Sequence, residues 1–199
     1  MPEVSFPESI VTERLELRCY DEMDAVSVGE LIGSNRRHLL RNFPELSKGL
    51  TTPAEVEQFL SGCVFQWNER KGYCYGVWAK TLKNLIGQVK VKSLHWEIPS
   101  AELSYFIGQS FLRQGYASES VAAVMNVALK ELSFNRVYVR IISSNIASIQ
   151  LAQKLGMQHE GQHHREFRCG FGELHDVDYY SLTSSDYALC TPKETETPR

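Results

Sequence analysis

From Thr12 to Tyr20 the chain alternates Leu15, Leu17 and Cys19 with Arg14, Glu16 and Arg18. A period of two marks a strand with one buried face, so residues 12–20 are expected to be a strand. Residues 21–33 read as a short helix with Asp21 as its cap, followed by an irregular polar stretch running through Asn35, Arg36, Arg37 and Phe43. A clearer helix start follows. Thr52 can cap, Pro53 takes the first helical position and Glu55 completes a capping box, while Val56, Phe59, Leu60, Cys63 and Trp67 fall on one stripe.

The next two segments, "GYCYGVWAK" and "LIGQVKVKSLHW", are rich in aromatic and β-branched residues and are separated by "TLKN", the pattern of an antiparallel hairpin. A third strand, "AELSYFIG", follows Pro99. Beyond it, Ala117, Val121, Val124, Met125, Ala128 and Leu132 share one helix face, "RVYVRIIS" reads as a strand, and "NIASIQLAQKLG" as a helix capped by Asn145 and ended by Gly156. Strand, helix, strand, helix makes a crossover, which sets "AELSYFIG" and "RVYVRIIS" side by side and parallel. The segments "MQHEGQHHREF" and "HDVDYYSLT" flank "RCGFGE" as a final hairpin. The fold class is therefore α/β, a mixed and mostly antiparallel sheet with one central parallel pair. Residues 1–190 are expected to form a single domain and 191–199 a loose tail.

Composition narrows the class without changing it. The chain has 199 residues, 43% of them hydrophobic, which suits one globular domain. A formal charge of -3 gives no global footprint for nucleic acid, although Arg36, Arg37, His38 and Arg41 form a local basic cluster. Five scattered cysteines with no Cys-x-x-Cys pair suggest reduced thiols. The histidines His159, His163, His164 and His175, with Cys169, match no standard zinc spacing, so no metal is expected. The opening "MPEVSFPESI" lacks the basic patch and apolar run of a signal peptide, and no stretch has the apolar length of a membrane span. A cytoplasmic protein without membrane or nucleic-acid partners is expected, as a monomer or homodimer.

The segment with most chemical content is "FLRQGYASES". A chain that turns at Gly115 and enters a helix through Ala117 and Ser118 exposes backbone amides at the positive end of a helix dipole. Such a start attracts phosphate oxygens, and a glycine beside a small residue lets an anion approach closely. Taken alone, the segment fits an ordinary strand-to-helix turn better than an anion cradle. It is neither a P-loop nor a dinucleotide fingerprint, because the lysine and the three-glycine spacing are missing.

In context, the segment resembles the cofactor loop of the GNAT superfamily of acetyl-CoA-dependent N-acetyltransferases. The chain is more closely similar to the branch that acetylates the N-termini of ribosomal proteins. There "TERLELR" opens the domain, "LIGQVKV" leads to "AELSYFIG", and the loop reads Gln-Gly-x-Gly-Tyr-Ala-x-Glu. Asn-x-x-Ser-x-x-x-x-x-x-Leu-Gly and a final "DVDYYSLT" close the order. These matches run from about residue 12 to 186. Two positions depart: Leu112 replaces the usual Gln or Arg, and Arg113 stands where the branch often has glycine.

The resemblance implies the GNAT fold, with helices on both faces and a central parallel pair that splays to admit the pantetheine arm of acetyl-CoA. It implies main-chain groups of Tyr105, Phe106 and Ile107 for that arm. Arg113, Gln114, Gly115, Tyr116, Ala117 and Ser118 would serve the pyrophosphate, and Asn145 the pantetheine. Glu102 is implied as the base that takes the proton of the amine, with Ser104 on the same strand face. Many members protonate the departing thiolate with a tyrosine seven residues after the asparagine, here Ala152; the ribosomal branch has a serine matched by Ser148. Asn35, Arg37 and His38 would help shape the acceptor pocket. The expected activity is direct attack of a protein N-terminal amine on acetyl-CoA in a ternary complex. A small amine such as a polyamine, an aminoglycoside or a metabolite remains an alternative acceptor, and a non-catalytic acetyl-CoA-binding module an alternative role.

Overall fold

A computed structural model describes residues 5–190, so the expected tail at 191–199 lies outside the described residues. Among the described residues eight strands form one sheet in the order β1-β2-β3-β4-β5-β6-β8-β7. The alternation at the start becomes β2 (Leu15–Cys19), where Leu15 and Leu17 are fully buried. Each such leucine stabilises the fold by about 1.5–3 kcal/mol. A short edge strand, β1 (Ser9–Val11), pairs antiparallel with it.

The helix expected over 21–33 is longer than the pattern indicated. Asp21 caps a single 3₁₀ turn (Glu22–Asp24), and α1 (Ala25–Leu39) then runs through residues expected to be irregular. The continuation is held from its buried side. Asn35, 7% exposed, receives the Gln109 amide on its side-chain oxygen at 2.7 Å and donates to the Leu31 carbonyl at 2.8 Å. A second short helix, α2 (Pro44–Gly49), follows, and Arg36 is tied to the Ser47 and Leu50 carbonyls.

The capping box at α3 (Pro53–Asn68) forms as expected, and Val56, Leu60, Cys63 and Trp67 are buried, with Phe59 packed partly against them. The hairpin expected next becomes β3 (Tyr73–Ala79) and β4 (Asn84–His95), and β4 also pairs antiparallel with β5 (Ser100–Ile107). Helix α4 (Tyr116–Asn126) passes into one π-helical stretch at Val127–Glu131, and its Val121, Val124 and Met125 are buried. After β6 (Arg136–Ile142) comes α5 (Ile146–Lys154). The final hairpin is β7 (Gln158–Arg168) and β8 (Leu174–Thr183), with β8 inserted beside β6, and α6 (Ser184–Cys190) follows.

Two clusters cover the two faces of the sheet. One packs α1 and α3 against Cys74, Leu85 and Phe106; the other packs α4 against Val89, Leu103 and Ile107. The parallel pairing of β5 and β6 ends after three residue pairs, from Ser100–Arg136 to Glu102–Tyr138. Both strands continue beyond that point, β5 to Ile107 and β6 to Ile142. The sheet is therefore split toward their C-terminal ends, where the glycine loop and the start of α5 lie.

Candidate active site

The split is the floor of a cleft of about 590 Å³. Glu102, Tyr105, Asn145 and Ser148 all line it, so the fold brings together four residues that span 47 positions of sequence. Alternation along β5 determines what each contributes. Glu102, Ser104 and Phe106 face the side of α1 to α3, while Leu103, Tyr105 and Ile107 face the side of α4 and α5. The cleft passes between these faces.

Glu102 is 3% exposed. Burial of a carboxylate is tolerable only with charged or hydrogen-bonding partners. Lys92 Nζ at 3.0 Å and Arg140 Nε at 3.1 Å both meet its Oε1. The Ser93 hydroxyl donates to Oε2 at 3.2 Å from a bulge between Lys92 and His95 where Ser93 adopts φ 50. Arg140 continues outward to Glu166 Oε1 at 3.2 Å, which also accepts from the Tyr179 hydroxyl at 2.7 Å. Burial opposes the charge of Arg140, yet the Glu102 carboxylate beside it raises the guanidinium above its ordinary value. The sequence pattern did not reveal this chain of charges, because its members sit on four strands and meet only across the sheet.

On the opposite face the Tyr105 hydroxyl is buried without a hydrogen-bond partner. Burial pushes it up to about 12, partly offset by the Ser148 hydroxyl, which stands beside it without completing a hydrogen bond. Ser148 sits in the first turn of α5, whose cap is Asn145; the Asn145 side-chain oxygen accepts from the Ser148 amide at 3.3 Å. Phe106 and Ile107 are buried with their side chains in opposite clusters, and from Leu103 onward β5 has no partner strand on its β6 side. An unpaired strand edge and an orphaned buried hydroxyl fit a thin, polar, amide-bearing ligand such as pantetheine.

The glycine loop follows β5. Gly115 takes φ 84 and immediately precedes α4, which has no side-chain cap, so the Tyr116, Ala117 and Ser118 amides stand at an open helix start. Arg113 also adopts the left-handed region at φ 61, the conformation that glycine would reach without strain. Arg113, Gln114 and Gly115 are exposed. The loop is fixed from below by Arg14. Its guanidinium bonds the Glu119 carboxylate at 2.7 and 2.6 Å and the Gln114 carbonyl at 2.9 Å, and lies 4.7 Å from the Tyr116 ring centre. Nothing in the local pattern identified Arg14 as more than a polar strand residue.

Asn35, Arg37 and His38 are not among the residues lining the cleft. Asn35 is used up in its bonds to Gln109 and Leu31, and Arg37 and His38 are exposed. One wall of the cleft comes from Asn42, Phe43, Glu45 and Leu46 together with Phe167 and Arg168 of the last hairpin. Gly170 locks these walls together: its amide donates to the Leu40 carbonyl at 2.8 Å, and a Cβ there would run into Leu40. Of the histidines, His159, His163 and His164 pair with Asp178, Glu166 and Asp176. Cys169, Glu173 and His175 do bring donor atoms within 4.8 Å of one another, a grouping that their spacing did not suggest. The four cysteines whose side chains are described are free thiols.

Comparison with known proteins decides the family. The family described as acetyltransferase (GNAT) domain matches residues 14–158. The chain belongs to the GNAT acetyltransferases. The uncharacterized N-acetyltransferase YoaA of Bacillus subtilis is 26% identical over 174 residues, covering 86% of this chain and 94% of YoaA. Among solved structures, the ribosomal L7/L12 alpha-N-protein acetyltransferase RimL, in complex with coenzyme A, superposes with a TM-score of 0.81 at 22% identity over 88% of this chain and 98% of that one. The ribosomal-protein-S5-alanine acetyltransferase from Vibrio fischeri gives 0.81 at 21% identity over 92% and 99%. This GNAT protein therefore has the expected mixed sheet with one parallel pair and is an acetyltransferase. Among the described residues no helix is long and apolar enough to cross a membrane.

Proposed function

We propose that this GNAT enzyme transfers the acetyl group of acetyl-CoA to a protein N-terminal α-amine of the ribosomal-protein type, by direct attack in a ternary complex. The observation that carries the reading is the single cleft that opens to both faces of the sheet at the end of the β5–β6 pairing, with Glu102 on one face and Tyr105 and Ser148 on the other. The names of RimL and the Vibrio fischeri enzyme support the choice of acceptor.

Acetyl-CoA supplies an activated thioester when bound. The open amides from Tyr116 to Ser118 and the exposed Arg113, Gln114 and Gly115 would hold its phosphates, and the free edges of Tyr105, Phe106 and Ile107 with Asn145 its pantetheine arm. Glu102 takes the proton of the amine. Its Oε1 carries both cations, so Oε2, beside Ser93, keeps the lone pair that receives a proton directly or through water. Ser148 stands on the face where sulfur departs.

Mass spectrometry of acetylated N-termini in cells with and without the protein tests the acceptor directly, alongside acetyl-CoA turnover with purified protein. N-termini that lose acetylation in its absence support the reading. Turnover confined to a polyamine, aminoglycoside or metabolite, which a cleft of this size also suits, replaces the acceptor, and binding of acetyl-CoA without turnover on any amine leaves a non-catalytic module.

A further inference from the structure

Resting on that reading, we infer that the Tyr105 hydroxyl is the hydrogen-bond donor that holds the departing sulfur as a thiolate, while keeping its own proton. Three observations lead there. The hydroxyl is buried in the cleft with no partner, and a fold retains such a group where a ligand completes the bond. It lies on the α4 and α5 side of β5, opposite Glu102 and beside Ser148, which is the side of the helix start proposed for the phosphates. Helix α5 offers no competing phenol, since Ala152 is 2% exposed and apolar.

Chemistry separates a donor from an acid. A thiol titrates near 8.5, whereas burial places this phenol at about 12, so moving the phenolic proton to a thiolate would run uphill. Donating a hydrogen bond carries no such penalty and acts on charge as it develops on sulfur. The step then balances without tyrosinate. The amine lone pair forms the N–C bond, the C–S pair moves to sulfur, the proton of the amine passes to Glu102 and on to water, and the thiolate takes a proton from water on release. Ser148, in the capped first turn of α5, acts as a positioning residue that orients the phenol.

The test measures the ionisation of bound coenzyme A. Calorimetry first establishes coenzyme A binding to the wild-type protein. Thiolate ultraviolet absorbance is then followed against pH for free coenzyme A, the wild-type complex and the Tyr105→Phe complex. The expected result is a thiol midpoint lowered in the wild-type complex and raised by about one to two pH units in Tyr105→Phe. With it, kcat falls about 100- to 1,000-fold while the KM for acetyl-CoA changes little. Binding with the same midpoint for free and bound thiol overturns the role of Tyr105 alone. Absence of coenzyme A binding overturns the proposed function and this inference together. Should Tyr105→Phe fail to fold, fluorotyrosine at position 105, a more acidic donor of nearly the same shape, should lower the bound thiol midpoint further, and an unshifted midpoint overturns the role.

Discussion

Glu102 and Tyr105 stand three residues apart on β5, and that odd spacing sends their side chains to opposite faces of the sheet. On the proposed reading, chemistry on the amine and chemistry on sulfur are served from separate sides of one strand. Glu102→Gln should lower kcat by about 100- to 10,000-fold while leaving coenzyme A affinity within about twofold, as read by steady-state kinetics and calorimetry. An unchanged kcat at saturating substrate removes Glu102 as the base. Glu102→Ala should in addition lower the thermal midpoint, because Lys92 and Arg140 lose the carboxylate they share.

Arg14 reaches the loop through a two-pronged contact, to Glu119 and to the Gln114 carbonyl. A lysine keeps the charge but cannot span both acceptors. Arg14→Lys should therefore weaken coenzyme A binding nearly as much as Arg14→Ala, by about three- to tenfold. Calorimetry against coenzyme A checks this. A lysine variant that binds like the wild type would show that charge alone suffices.

The two left-handed residues of the loop should respond in opposite ways. Gly115→Ala forces a Cβ onto φ 84 and toward Arg14 Nη2 at 3.2 Å, and should cost about 1 kcal/mol of stability and weaken coenzyme A binding. Arg113→Gly relieves φ 61 and should leave stability equal or higher. Its effect on coenzyme A affinity, expected at no more than about tenfold, measures what the guanidinium adds beyond the backbone amides.

Acid should loosen the start of α3 before the rest of the helix. Hydrogen bonds from Thr51 and Thr52 hold the exposed Glu55 carboxyl down to about 2 from an ordinary 4.5. A carboxyl held low in the folded state stabilises it fully above pH 4.5, and that contribution disappears as pH falls through about 2. The difference in thermal midpoint between wild type and Glu55→Gln should thus shrink steadily across that interval. A difference that persists at pH 2 would show that the capping box does not depend on the charge.

Periodicity made most of the architecture legible. The buried stripes of α3 and α4 and the inward residues of β2 follow spacing alone, since burial of apolar side chains decides those elements. It stopped short at α1, whose second half is helical because Asn35 finds partners on Gln109, 74 residues away. The three-residue β1 and six-residue α2 were too short to show a period. Of the proposed site, Glu102 and Ser148 could be singled out through the order of motifs. Lys92, Arg140 and Arg14 could not, because their meaning is the partner each meets across the sheet or under the loop. The phenol of Tyr105 was concealed differently: its main chain drew attention, and only burial shows the hydroxyl waiting without a partner.

The three residue pairs that join β5 to β6 divide the sheet into a five-strand and a three-strand part with a narrow strip of backbone bonding between them. On the proposed reading, an arm laid along the free edge of β5 would extend that strip, so each round of catalysis would begin by stitching two half-sheets together and end by unpicking them. Such an arm would tie the two parts of the sheet to each other through the substrate as well as through the chain.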